Sequence, residues 1–466
     1  MNRRTFLISS LATPAGSRLF AQGQTAVTRH RKPRPLDAKA VTEEWPSFLG
    51  PSHNGFSSET NLIKTFPASG PPLVWERGRG TGYSSPGIAS GKLVFLHRID
   101  DREIVECVHP ETGEQQWQFS YATKFEDRYG YNNGPRASPV MSGDRVYTFG
   151  AEGKLHCLQL ATGKVLWKKD LQQDFHTKQD FFGVASTPLI EGTQLIVTVG
   201  APGGPTVVAF DAATGKTNWS AGKEWGASYA SPIPATIHGK RRILVFAGGE
   251  SQPPTGGLMM IDPANGAVDF SFPWRSRSYE SVNASCPVIS GNLVFISASY
   301  RTGGALLEIS PDMKFKTLWT SPEFGLHFNT PIFKDGYLYG FDGRNEPDAS
   351  LACVEAKTGK VMWRTNPEWK ESIPTGGGTQ EQMLSTYRGN LLHVGGRFLA
   401  LGELGHLIWM DLTPRGYQEG SRAWLFAARE TWSLPVLSKG LLYVMQHSRD
   451  ALHNKGPRLL CYDLRA

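Results

Sequence analysis

A chain of 466 residues with 51 glycines and 31 prolines carries too many turn formers for a helical bundle, and it has no apolar run long enough to span a membrane as a helix. Its +7 charge is no nucleic-acid signature, because Arg3, Arg4 and Arg18 and the basic surplus of residues 22–40 account for all of it. Five cysteines without a CxxC pair, and the lack of HExxH, phosphate-loop and G-x-S-x-G sequences, set aside the common zinc, nucleotide and serine-hydrolase signatures.

Residues 1–21 read as an export signal. Arg3-Arg4-Thr5-Phe6-Leu7 resembles a twin-arginine motif, and a short apolar stretch broken by Pro14 and Arg18 follows. A periplasmic or extracellular protein is therefore expected. Residues 22–44 read as a flexible basic tail, with Arg29, Arg31, Lys32, Arg34 and Lys39 against Asp37. Trp45-Pro46-Ser47-Phe48 opens the ordered part without strand alternation and is expected to lie across the fold as a clasp, with Trp45 and Phe48 buried.

From there the chain repeats. A small residue and proline start each unit, at Ser85-Pro86, Ser138-Pro139, Thr187-Pro188, Ser231-Pro232, Cys286-Pro287, Thr330-Pro331 and Leu434-Pro435. A copy without proline sits at Ser385-Thr386-Tyr387. Most units then carry a hairpin in which alternating apolar residues run into Thr-Gly and end on tryptophan, as in Ala209-Phe210-Asp211 to Thr214-Gly215-Lys216 and Trp219. Glycine supplies the positive φ that the turn requires. Eight units of about 50 residues, each readable as four short strands, predict an all-β, eight-bladed propeller of four-stranded antiparallel blades over residues 45–466. The last unit lacks an outer strand, while Leu73-Val74-Trp75 has no hairpin of its own; the N-terminal strand is thus expected to complete the last blade. Cys107, Cys157, Cys353 and Cys461 recur at one place in four blades and read as small buried residues, since equivalent sites on separate blades are too far apart for a disulfide.

This topology sorts the loops onto two faces. The Gly and Thr-Gly turns share one face and are short. The connections into each first strand, and the loops between second and third strands, share the other and are long and polar, so this face is where a site is expected. Near its channel should lie Tyr83, Arg136, Phe182, Tyr229, Asn283, His327, Asn329, Gln382 and Trp432; farther out come Glu152, Glu250, Arg301, Asp342 and Arg344. Aromatic rings mixed with Arg, His and carboxylates suggest a small polar or anionic ligand or a protein partner. No metal ligand set follows from spacing, and a monomer is expected.

The Ala-x-Asp-x-x-Thr-Gly-Lys-x-x-Trp string at 209–219 resembles the tryptophan-docking motif of the pyrroloquinoline quinone (PQQ) repeat family, over essentially residues 45–466. The resemblance implies a propeller and two branches: quinoprotein alcohol dehydrogenases, which hold PQQ with Ca²⁺ over the channel, and non-enzymatic members such as the lipoprotein of the outer-membrane barrel-assembly machine. The dehydrogenase branch carries adjacent cysteines against its cofactor, and many members carry C-x-x-C-H; neither occurs here. The calcium ligands of that branch do not align onto this chain one by one; by their place on the loop face Glu152 or Glu250, Asn283 and Asp342 would make an oxygen-rich site, with Trp432 as a stacking floor. The scaffold branch has its own gap, a missing lipid-attachment cysteine near residue 1. The expected function is an exported binding or scaffold propeller, with a PQQ- and calcium-dependent alcohol or sugar dehydrogenase as the alternative.

Overall fold

A computed structural model describes residues 26–345, 348–375 and 377–466; the stretch read as an export signal lies outside them. Eight antiparallel sheets form the blades. Blade 1 runs Gly87–Ala89, Lys92–Ile99, Arg102–Val108 and Gln115–Ala122. Blades 2 to 7 repeat that order over 140–170, 189–221, 233–273, 288–321, 332–365 and 389–424. Blade 8 takes Val436–Ser438, Leu441–Gln446 and Arg458–Asp463 from the C-terminus and Leu73–Gly78 from the N-terminal side, with Trp75 paired to Cys461. The ring is closed as the unpaired N-terminal strand implied. No described helix is long and apolar enough to cross a membrane.

The repeated tryptophan is the joint between blades. Trp75, Trp117, Trp167, Trp219, Trp319 and Trp363 each send indole Nε1 to a carbonyl on the next blade's hairpin, at 2.7–3.0 Å. In five of these pairs the ring covers the hairpin glycine itself: a Cβ on Gly113, Gly163, Gly215, Gly266 or Gly359 would come within 2.5–2.9 Å of the indole. The Thr-Gly turn is thus a flat seat as well as a reversal. Trp424 departs from the pattern. It bonds Leu404 O in its own blade and stacks on His406 at 4.7 Å. The reason is topological: the hairpin of blade 8 is severed, its two strands coming from opposite ends of the chain, so no turn exists for Trp424 to cover.

The cysteines follow from the same joint. Cys107, Cys157, Cys353 and Cys461 lie directly across the ladder from Trp117, Trp167, Trp363 and Trp75. In all four the tryptophan strand carries a one-residue bulge just before the indole, at Gln116, Leu166, Met362 and Val74. A small apolar side chain leaves room for the indole there, and burial pushes the Cys107 thiol up to about 12. All five cysteines are free and buried.

The small residue before each proline has a different purpose. Ser85 N donates to Ser138 Oγ, Ser138 N to Thr187 Oγ1, Thr187 N to Ser231 Oγ, Ser231 N to Cys286 Sγ, and Cys286 N to Thr330 Oγ1. Ser85 Oγ donates to Leu434 O of blade 8. This girdle ties successive inner strands around the axis. Cys286 is its soft link, a thiol where the others offer hydroxyls. Cys286→Ala is expected to lower stability by about 1–3 kcal/mol, since it orphans a buried amide, whereas Cys286→Ser should stay near wild type; urea midpoints distinguish them.

The segment after residue 44 closes the turn face. Trp45 is fully buried and bridges Ile88 of blade 1, Pro46 O accepts from Met141 N of blade 2, and Phe56–Ser57 pairs in parallel with His393–Val394 of blade 7. Phe48 is half-buried against the same core cluster. The stretch read as a flexible tail is also engaged: Val27–Arg29 adds a fifth strand beside Leu73–Gly78, and Arg34 N donates to Asp463 at 2.7 Å. Alternating charge hid this strand from the hydrophobic pattern, and it covers an edge that would otherwise be open.

Charges lock the closure. Arg77 donates to Glu106 of blade 1 at 2.5 and 2.9 Å with both side chains buried. Gly80 N donates to His97 Nδ1, so the ring proton sits on Nε2, which donates to Glu106 at 3.0 Å. On the other side Glu76 holds Lys455 and Arg458, and Arg458 reaches Asp450 at 2.8 Å. Burial works against an ionised Glu76, yet Lys455 and Arg458 outweigh it and hold the carboxyl below its usual 4.5. A depressed carboxylate contributes stability that is full above its unfolded pKa and is lost as pH falls through the folded one. The stability gap between wild type and Glu76→Gln should therefore be complete above 4.5 and shrink on acidification below it, as read from urea unfolding across pH.

Candidate binding face

The loops opposite the turn face meet over the axis. Their rings form one continuous chain: Tyr229 to Phe182 (5.7 Å), Phe182 to Tyr131 (6.0 Å), Tyr131 to Trp432 (5.5 Å), Trp432 to Phe328 (5.5 Å), Phe328 to His327 (5.8 Å) and His327 to Tyr300 (5.4 Å). These residues lead into or belong to blades 4, 3, 2, 8, 6 and 5. Contacts that skip a blade, as Tyr131 to Trp432 and Trp432 to Phe328 do, require the loops to converge on the centre. Tyr83 joins at 5.1 Å from Trp432 and 4.9 Å from His447.

Guanidinium groups are threaded through this chain. Arg388 lies 4.9 Å over Trp432 and 5.8 Å over Phe328, and its charge is met by buried Glu403, which also accepts from Trp432 Nε1 at 2.9 Å. Arg136 lies 5.6 Å over Tyr83 and pairs with Asp127 at 2.6 Å. Arg344 lies 4.3 Å over Tyr300. Cations over desolvated aromatic faces are favourable by up to about 2 kcal/mol each. Tyr83 donates to Glu430 at 2.5 Å, and burial followed by that carboxylate pushes its phenol far up, so it stays protonated. Burial, with Arg388 and Arg344 beside it, lowers His327 to about 3 and keeps it neutral.

Of the residues expected here, Tyr83, Arg136, Phe182, Tyr229, His327, Arg344 and Trp432 are brought together. The others are apart. Asn283 is buried and donates to Ala247 O and Trp274 O, and Asn329 is buried and donates to Phe341 O. Asp342 accepts from Gly325 N at 2.6 Å and pairs with Arg364 at 2.9 Å. Glu152 pairs with Lys154, and Glu250 with Arg128. Arg301 is exposed on a left-handed turn residue, φ 63°. Gln382 sits opposite Glu371 on a two-stranded ribbon, Glu368–Thr375 with Gly378–Ser385, outside the blades.

Sequence reasoning missed Tyr131, Phe328, Arg388 and Glu403. One signal was available for Arg388: it follows Tyr387, which replaces the proline that begins the other units. Tyr131 carried none, because its loop gives no register from which to place it.

A quinone with calcium does not fit this arrangement. Trp432 is flanked by Tyr83, Tyr131, Phe328 and Arg388, so the chain's own groups occupy the place of a stacked ring. Of the proposed oxygen ligands, Glu152, Glu250 and Asp342 are each taken up by an ion pair of their own, Asn283 Oδ1 alone is buried without a hydrogen-bond partner, and among the described residues no three His, Cys, Asp or Glu side chains are grouped to hold a metal ion.

A family model described as outer membrane protein assembly factor BamB (PQQ_2) matches residues 100–365, more than half of the chain. The chain belongs to the PQQ_2 family. Solved structures that resemble this PQQ_2 propeller include BamB from Moraxella catarrhalis, 15% identical over 84% of this chain and 97% of that one, with a TM-score of 0.51. Quinohemoprotein alcohol dehydrogenase from Comamonas testosteroni is 12% identical over 92% and 82%, with a TM-score of 0.62. Quinohemoprotein alcohol dehydrogenase ADHIIG from Pseudomonas putida HK5 is 10% identical over 93% and 78%, with a TM-score of 0.53. At such identities the likeness is one of fold. No curated protein matches the sequence.

Proposed function

We propose that this PQQ_2 propeller is an exported, non-catalytic scaffold that docks a protein partner on its loop face, outside the cytoplasm. The observation that carries the reading is the closed axis: a half-buried stack of rings and guanidinium groups supports exposed Tyr129 and Tyr131, with Tyr279 and Arg128 beside them. Tyr279 packs on Phe181 at 5.3 Å, as Tyr129 does at 6.2 Å. Tyrosine and arginine held rigid on a desolvated base are the residue types that dominate protein interfaces. The family's description as an assembly factor and the twin-arginine-like start support export and a scaffold role. The PQQ- and calcium-dependent dehydrogenase is the weaker reading, because neither a free stacking floor nor a grouped cation site supports it.

The test is site-specific photocrosslinking in intact cells. A probe at Tyr131 should trap a discrete adduct that a probe at Leu166, exposed on the outer strand of blade 2, does not. Equal labelling at both positions, or none at Tyr131, would contradict the docking face.

A further inference from the structure

Off the axis, the loops leading into blades 3 and 4, the tip of the loop into blade 2 and the loops between the second and third strands of blades 2, 3 and 4 border an open cavity of about 570 Å³. That size suits a small molecule. Much of its wall is backbone, with Gly200, Ala201, Gly226 and Ala227 keeping it open. Four carboxylates line it. Glu152 is paired with Lys154 at 2.7 Å, Glu250 with Arg128 at 2.5 Å, and Glu224 is exposed at the rim. Asp180 differs from these. It is half-buried, it accepts from the backbone amide of Phe181 at 3.1 Å and faces that of Glu250, and among the described residues no cation stands within ion-pair distance of it. Arg275 is the nearest positive field, but its donors go to Gly249 O, Thr255 O, and the hydroxyl and carbonyl of Ser281.

We propose that this cavity binds a small ammonium compound the size of an amino acid or dipeptide, whose nitrogen supplies the cation missing at Asp180. A carboxylate drawn out of water without a partner is costly, and a charged amine is the ligand group that offsets that cost most. The far end of such a ligand is also provided for: Lys178 and Lys223 stand exposed at the rim, and neither forms an ion pair among the described residues. An amine paired at depth with a carboxylate received at the mouth describes a zwitterion and not a sugar. The cavity adjoins the docking face at the Arg128–Glu250 pair but takes a different ligand, and either reading can fail alone.

Titration supports the assignment. Burial pushes Asp180 up to about 6, with Glu250 opposing ionisation, and the Phe181 and Glu250 amides and Arg275 favouring it; the Tyr229 phenol also faces it and remains neutral. Only about one-tenth of Asp180 is then ionised at pH 5 and about nine-tenths at pH 7, while the amine stays mostly charged over that range.

The experiment is calorimetric titration of the purified protein with the standard amino acids and their glycyl dipeptides, with simple sugars as a parallel set. One-to-one binding of at least one amine is expected. It should weaken at least tenfold in Asp180→Asn, about tenfold between pH 7 and pH 5, and be lost when that ligand's amine is acetylated. The acetylated ligand tests the idea on the unaltered protein, and an unchanged melting curve shows that Asp180→Asn is folded. No amine binding, sugar binding in its place, or binding indifferent to both Asp180→Asn and acetylation would overturn the proposal.

Discussion

Trp117→Ala is expected to destabilise the propeller by about 3–5 kcal/mol, among the largest effects available to a single substitution. Trp117 is nearly buried, donates to Leu160 O at 2.8 Å, and roofs Gly163 of the next blade. Removing it opens a void between blades 1 and 2 that neither sheet can collapse into, because each is also held by its other neighbour. Gly163→Ala strikes the same joint from below: its Cβ would fall 2.5 Å from the indole, on a residue with φ +73°. Because both changes break one contact, the double variant should cost clearly less than the sum of the singles. Urea unfolding followed by circular dichroism gives all three numbers, and strict additivity would show that ring and glycine do not act together.

Arg77→Ala or Glu106→Ala should each cost about 3–5 kcal/mol, since either leaves the opposite charge buried and unpaired. The pair joins the strand that closes the ring to blade 1, with side-chain exposures of 4% and 0%. Glu106→Ala should be the worse of the two, because His97 then loses its acceptor as well. Replacing both partners, as Arg77→Met with Glu106→Leu, should recover much of the loss, leaving mainly the orphaned imidazole. If the single variants match wild type in urea midpoint, closure rests on the strand ladder and not on these charges.

Much of the fold was legible because one contact recurs. The Thr-Gly-x-x-x-Trp spacing records a ring seated on a neighbour's turn, and the Ser-Pro spacing records the hydroxyl girdle; each is local in sequence at both ends. The cysteines were read correctly as buried, but their reason, the space opposite a docked indole at a bulge, appears only with the ladder register. Trp424 shows the limit of the pattern, since its departure depends on where the ring is cut.

The candidate face was legible only in part. Topology placed Tyr83, Arg136, Tyr229 and Trp432 among the loops opposite the turns, where the structure has them, because each leads directly into an inner strand. It could not tell residues that turn to the axis from those that turn into the wall. Asn283 and Asn329 occupy the same lead-in positions, yet both are buried with their Nδ2 groups donating to strand carbonyls. Nor could it foresee Tyr131 reaching across to Trp432, a contact between blades separated by most of the chain.

If the chain's own rings close the axis, the loop face is left for a partner and holds no quinone. This can be checked by equilibrium dialysis of the purified protein against PQQ with Ca²⁺, followed by dye reduction with alcohols and sugars. No stoichiometric uptake and no turnover are expected. One quinone bound per chain, with substrate-dependent dye reduction, would contradict this and make Trp432 the floor of an active site.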